Sequence, residues 1–228
     1  MNQRWQYAAY LTLSGLALIF TVILLPSSGM YFRRFLGETN PILVIGVAAG
    51  IGAIALWALR ASYTFRILSG WQTLRGIALA ATFATLLGGA IVIVDVIIRY
   101  PQEMNVPFPQ ALLFYPAIGF VAEIVFHILP LTLLLLAMKP LTGRLGRERV
   151  VWLGILLVGL LEPTFQVFFE PKAWTWGTVY TWIHVFTIAL LQLYLFVRFD
   201  FVSMYSFRLF YYIYWHILWG VIRLDVLF

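Results

Sequence analysis

The amino-acid sequence predicts an all-α, polytopic membrane bundle of about seven helices, and three observations carry that expectation. Hydrophobic residues make up 63% of the 228 positions and charged residues only 11%, whereas soluble domains are about one-quarter charged. Several uncharged runs reach the roughly 20 residues that a helix needs to cross the hydrocarbon. Neither end of the chain nor any loop is long enough for a soluble domain, so the chemistry is expected in or beside the bilayer.

Seven spans follow: 7–25, 41–59, 76–98, 110–138, 150–169, 177–197 and 203–222. The first starts after Arg4 and runs on without a small-residue cleavage site, which reads as a retained helix. Arg33–Arg34 separate it from the second, and Arg60, Arg66 and Arg75 separate the second from the third. The fourth follows a loop rich in proline, Pro101–Pro109. It is too long for a straight crossing and contains Pro116 and Pro130, so it is expected to tilt, kink, or divide into a re-entrant piece and a helix.

The basic cluster Lys139–Arg149 precedes the fifth span. There Pro163 biases Glu162 away from helical geometry and deprives the Gly159 carbonyl of its partner, so a broken helix is expected at Glu162. Trp174 and Trp176 before the sixth span, and Tyr205 in the seventh, read as interfacial belt residues. On the seventh span helical geometry groups Arg208, Tyr212, Trp215, His216, Trp219 and Arg223 on an inward stripe. Phe210, Ile213, Ile217 and Leu218 then fall on the lipid side. No repeat or linker appears, and the chain divides into three N-terminal spans (1–109) and a four-span core (110–228).

Charge and cysteine content exclude several classes. With no cysteine, there are no disulfides, thiolate nucleophiles, iron–sulfur clusters or cysteine–zinc sites. The net charge of +6 comes from bases scattered singly between apolar runs, which fits topology and anionic headgroups rather than nucleic acid. Arg4, the 60–75 and 139–149 loops and Arg198 place nine Lys and Arg on one side, against five (Arg33, Arg34, Arg99, Lys172 and Arg223) on the other. The N-terminus is therefore expected in the cytoplasm, and the expected location is a bacterial cytoplasmic membrane.

Ionisable groups inside spans are functional candidates by default. Here they are Asp95, Glu123, His127, Glu162, His184, Arg208 and His216, which include every histidine of the chain. At ~1.5 Å per residue, Glu123, His127, Glu162, His184 and His216 fall in one layer roughly 16–22 Å deep, with Asp95 nearer the outer face and Arg208 nearer the inner one. Glu123 and His127 are four residues apart and share a helix face. Arg208 and His216 are expected to face inward, toward a carboxylate.

A buried Glu–Arg or Glu–His pair can do no more than lock helices. Alternatively, Glu123, His127, Glu162 and His216 form a catalytic set or a divalent-metal site, although Glu-x-x-x-His is not the HExxH zinc motif. His184 or His216 can also serve as axial ligand to a pigment or haem, without a CxxCH attachment motif.

Three segments carry a family resemblance. FVAEIVFHILPLTLLLL (120–136) resembles the E-E-x-x-x-R motif of the CAAX-protease and bacteriocin-processing (CPBP) intramembrane peptidases. GILLVGLLEPTFQV (154–167) and YIYWHILWG (212–220) sit where that family carries F-x-x-x-H and H-x-x-x-N, over roughly 115–222. The resemblance implies a CPBP-like helical core in which paired glutamates and two histidines activate water and an asparagine holds the oxyanion.

This sequence has Ala122 in place of the first glutamate, Glu123 as the second and His127 in place of the arginine. Glu162 replaces the first histidine, His216 is kept, and Gly220 replaces the asparagine. Losing one oxyanion donor typically costs roughly 10²–10³ in rate. The resemblance with these departures implies a non-catalytic binding, scaffold or accessory subunit whose partners are the bilayer and another membrane protein or membrane peptide. The alternatives are an active peptidase with a rearranged, metal-assisted site and a pigment- or haem-holding subunit. A transporter would show paired broken helices, which the chain lacks.

Overall fold

The computed structural model describes residues 3–168 and 175–228. Its helices are α1 (Gln3–Leu36), α2 (Pro41–Tyr63), α3 (Trp71–Ile98), α4 (Ala111–Ala137), the one-turn α5 (Thr142–Leu145), α6 (Arg147–Phe168), α7 (Trp176–Arg198) and α8 (201–227). No strand occurs among the described residues. Six of them, α1–α4, α6 and α7, are long and apolar enough to cross a membrane. The last, α8, spans about 40 Å at ~1.5 Å per residue but carries Arg208, His216, Arg223 and Asp225. Large apolar side chains cover the outer faces, with Ile54 68%, Leu86 66% and Ile97 75% exposed. A surface so continuously apolar needs lipid, and the chain is a helical integral membrane protein.

Hydrogen bonds identify the two ends of the bundle. Phe201 N and Val202 N donate to Arg66 O and Ile67 O at 3.0 and 3.2 Å, so the 64–70 loop satisfies the first orphan amides of α8. Ile67 N donates to Gln6 Oε1, and Arg147 to Thr64 Oγ1. The starts of α1, α6 and α8 therefore meet at one end, here the N-terminal end. At the far end Arg34 donates to Glu103 O and Met104 O, and Arg223 to Tyr100 O and Pro101 O. Successive long helices thus alternate in direction.

Small residues set the closest packing. Along α3, Thr73, Gly76, Ala80, Ala84, Gly88, Ile91 and Asp95 form one buried stripe at helical spacing, and α8 lies against it. A Cβ at Gly88 would come within 2.8 Å of Tyr214 Cβ. Thr73 also hydrogen-bonds Asp200, which caps α8 by accepting from Ser203 N at 2.8 Å. These ties cross the 109/110 division, so the three-span and four-span parts pack directly against each other.

Several expectations need correction. Helix α1 runs to Leu36, through Pro26 and a kink at Ser28 (φ −143°), which puts Arg33 and Arg34 in its last turn instead of a loop. Helix α4 has no re-entrant piece; it takes up its extra length with a π turn at Glu123–Ile128, closed by Leu129 N–H to Ile124 O. In α6 the interruption is at Leu160, and Glu162 lies back in the helix. Pro163 cannot donate to Gly159 O, and the chain yields at the next residue while Thr164 N still reaches Leu160 O at 3.2 Å.

Tyr205 is buried and donates to Pro116 O at 2.7 Å, so it packs inside the bundle and is no belt residue. Trp176 is 87% exposed, whereas Trp174 and Lys172 lie outside the described residues. Ile217 is buried rather than lipid-facing, because the π turn at Ile213–Leu218 rotates the helix phase.

Candidate functional site

Four helices bring polar side chains together in the interior. From α4 come Glu123 and His127, from α6 Glu162, from α7 Gln192, and from α8 Arg208 and Tyr212. Glu123, His127 and Gln192 are fully buried, and Glu162 and Arg208 nearly so. Arg208 Nε donates to Glu123 Oε1 at 2.6 Å. Its two terminal nitrogens grip Glu162 side-on, at 2.9 Å to Oε1 and 2.8 Å to Oε2, the planar fork-to-carboxylate geometry that gives the strongest pairs. Gln192 Nε2 also donates to Glu123 Oε1, and Tyr212 OH accepts from Arg208 at 3.1 Å. His127 Nδ1 donates to Glu123 Oε2 at 3.0 Å.

Local sequence explains the convergence. Gly119 lies one helical turn before Glu123, and a Cβ there would meet Tyr212 at 2.9 Å and Arg208 Cδ at 3.2 Å. Its missing side chain lets α8 approach α4 closely enough for the guanidinium to reach both acids. The π turn begins at Glu123 and contains His127, and such turns are frequent at functional sites.

Charge arithmetic leaves one feature open. Two carboxylates oppose one guanidinium, with the His127 ring beside both. Its Nε2 stands 3.6 Å from Glu162 Oε2, beyond hydrogen-bond range, and is one of the few buried polar side-chain atoms without a partner among the described residues. A divalent metal does not fit this donor set. The Arg208 guanidinium already bridges Glu123 and Glu162 where the cation would sit, and no group of three or more His, Asp or Glu with metal-holding geometry occurs among the described residues.

The other candidates lie apart. His216 donates through Nδ1 to Asn105 Oδ1 at 2.6 Å and stacks on Tyr115 with ring centroids 4.4 Å apart. Tyr212 stands between it and the Arg208 centre, its ring 5.1 Å from the imidazole. Gly220 makes room for Asn105, whose Nδ2 would lie 3.0 Å from a Cβ at that position. The expected carboxylate partner of His216 is thus a loop amide.

His184 has both ring nitrogens engaged by tyrosine hydroxyls, Tyr180 at 3.2 Å and Tyr211 at 3.0 Å. Asp95 sits toward the far end, holding Arg223 side-on at 2.7 and 2.9 Å and accepting from Trp219 Nε1 at 2.6 Å. Sequence reasoning missed Gln192 and Asn105. A glutamine in mid-span, eight residues after His184, was the available signal for the first; nothing local signals the second.

No family model matches the chain, and no curated protein or solved structure matches it.

Proposed function

We propose that the chain is a non-catalytic integral membrane protein on the plan of the CPBP intramembrane peptidases, acting as a binding or accessory subunit for another membrane protein. One observation carries this reading: Arg208 is paired with both buried glutamates at once. A general base needs an accessible lone pair directed at the proton it removes. Glu123 is instead occupied by Arg208, Gln192 and His127, and Glu162 by the guanidinium fork. His216 is eight residues further along α8, a rise of roughly 12 Å, and is turned toward Asn105. Ala122 and Gly220 supply neither a second acid nor a transition-state donor. A partner would then meet the bundle within the bilayer or at the basic 139–149 loop, and the excess of Lys and Arg at the N-terminal end supports a cytoplasmic side for that end.

A panel of membrane-anchored reporter peptides, reconstituted in liposomes with wild type or Glu123→Gln, tests the reading. Equal, background-level cleavage by both is expected. Product that depends on Glu123 would overturn it.

The unpartnered His127 Nε2 favours a second reading, a metal-free peptidase with a rearranged site. Glu123 or Glu162 would then take a proton from water and His127 would return it to the leaving amine. The same assay, extended to Glu162→Gln and His127→Ala, decides, since this version requires cleavage that disappears in His127→Ala and in the variant of whichever glutamate is the base.

A further inference from the structure

At the N-terminal end, away from the polar centre, the ends of α2, α6 and α7 surround an open cavity of about 630 Å³. Arg66, Arg147 and Arg198 line it, together with a single carboxylate, Glu148. Three guanidinium groups against one carboxylate leave a double positive excess. Among the described residues none of the three makes an ion pair. Arg147 makes one hydrogen bond, to Thr64 Oγ1 at 3.1 Å, and lies over the Tyr63 ring at 5.4 Å. A guanidinium has five N–H donors, so most of this capacity is unspent.

Helix ends contribute in both directions. The start of α6 has no side-chain cap, so its first amides present the positive end of the helix dipole. The C-termini of α2 and α7 bring carbonyl ends, and Arg198, in the last turn of α7, answers its own. Arg66 and Arg147 then remain for an outside anion.

The wall below the arginines is aromatic. Trp152 on α6 stacks on Tyr194 of α7, with ring centroids 6.4 Å apart, as tryptophan and tyrosine do at headgroup level. Trp152 and Leu156, one turn apart on α6, are both exposed, 41% and 49%, and carry the apolar wall on toward the hydrocarbon. A free phosphate would use the rim alone, whereas an anionic phospholipid uses both the rim and the wall.

We infer that this cavity is a binding site for the phosphate headgroup of an anionic phospholipid, held by Arg66 and Arg147 with its acyl chains along Trp152 and Leu156. The test is native mass spectrometry of delipidated protein in neutral detergent, titrated with phosphatidylglycerol, phosphatidylcholine and, separately, inorganic phosphate. Arg66→Gln/Arg147→Gln should weaken phosphatidylglycerol binding by about 25-fold, at about fivefold per arginine. Arg144→Gln/Arg149→Gln, which removes the same charge from the same end outside the cavity, should leave it unchanged. Equal loss in Arg144→Gln/Arg149→Gln, undiminished binding by Arg66→Gln/Arg147→Gln, or equal binding of phosphatidylcholine would overturn the inference. Displacement of the lipid by millimolar inorganic phosphate would also overturn it, by making the site one for the free anion.

Discussion

Arg208→Met is the perturbation that bears most heavily on the polar centre. The substitution keeps an unbranched side chain and removes the guanidinium that pairs with both Glu123 and Glu162. Glu123 loses its 2.6 Å hydrogen bond and Glu162 loses both of its own, leaving two buried acids beside each other. Breaking a buried pair by removing one partner costs about 3–5 kcal/mol, and Arg208 serves two, so the upper part of that range applies. For a domain of this size each kcal/mol moves the midpoint by roughly 2–4 °C, and thermal unfolding in mild detergent should therefore fall by about 10–20 °C.

The companion variant Arg208→Met/Glu123→Gln/Glu162→Gln removes all three charges together. Replacing a complete buried ion group is often neutral, so most of the lost midpoint should return. A single variant within about 2 °C of wild type, or a triple variant no more stable than the single one, would show that the centre is not an ion-paired lock.

Other positions extend the test. Gly119→Val forces a Cβ against Tyr212 and Arg208 and should cost about 1–3 kcal/mol by overpacking, read in the same melt; an unchanged midpoint would mean α8 does not approach α4 this closely. Arg223→Met should cost about 3–5 kcal/mol by orphaning Asp95, and adding Asp95→Leu should recover part of it, whereas two independent, additive losses would argue against the pair. Asn105→Ala leaves His216 Nδ1 without its partner and should cost about 1–3 kcal/mol, while Asn105→Gln should not restore stability, because Gly220 leaves room only for the shorter amide. Equal stability of all three forms would show that the loop does not dock on His216.

Hydropathy made the spans legible, because lipid-facing helices must be apolar over their whole length whatever they pack against. The rise per residue was also enough to put Glu123, His127 and Glu162 at one depth, and the structure joins those three in one cluster. Depth alone misjudged Arg208, whose backbone lies nearer the end of α8 while its long side chain reaches the acids. It passed over Gln192 as well, since a neutral amide does not register as an intramembrane charge. The histidines separate for another reason. Depth says nothing about azimuth, and His184 and His216, expected in the same layer, point instead to tyrosines and a loop asparagine.

That loop, 99–110, is held by Arg34, Arg223, Tyr115 and His216, partners 9 to 122 residues away that no local period reveals. The burial of Tyr205 was hidden for a similar reason: an aromatic at a span end suits lipid headgroups or a neighbouring helix equally well, and only the Pro116 carbonyl decides.

Water access to the centre separates a closed lock from an open site. The chain contains no cysteine, so a single Gln192→Cys variant can be labelled with a charged, membrane-impermeant thiol reagent from either side of reconstituted vesicles. Trp176→Cys, 87% exposed at the first residue of α7, provides the reactive control. A closed lock of Glu123, Arg208 and Glu162 predicts a position-192 thiol that stays unmodified while the position-176 thiol reacts. Labelling at 192 as fast as at 176 would show an open, water-filled site and contradict the account.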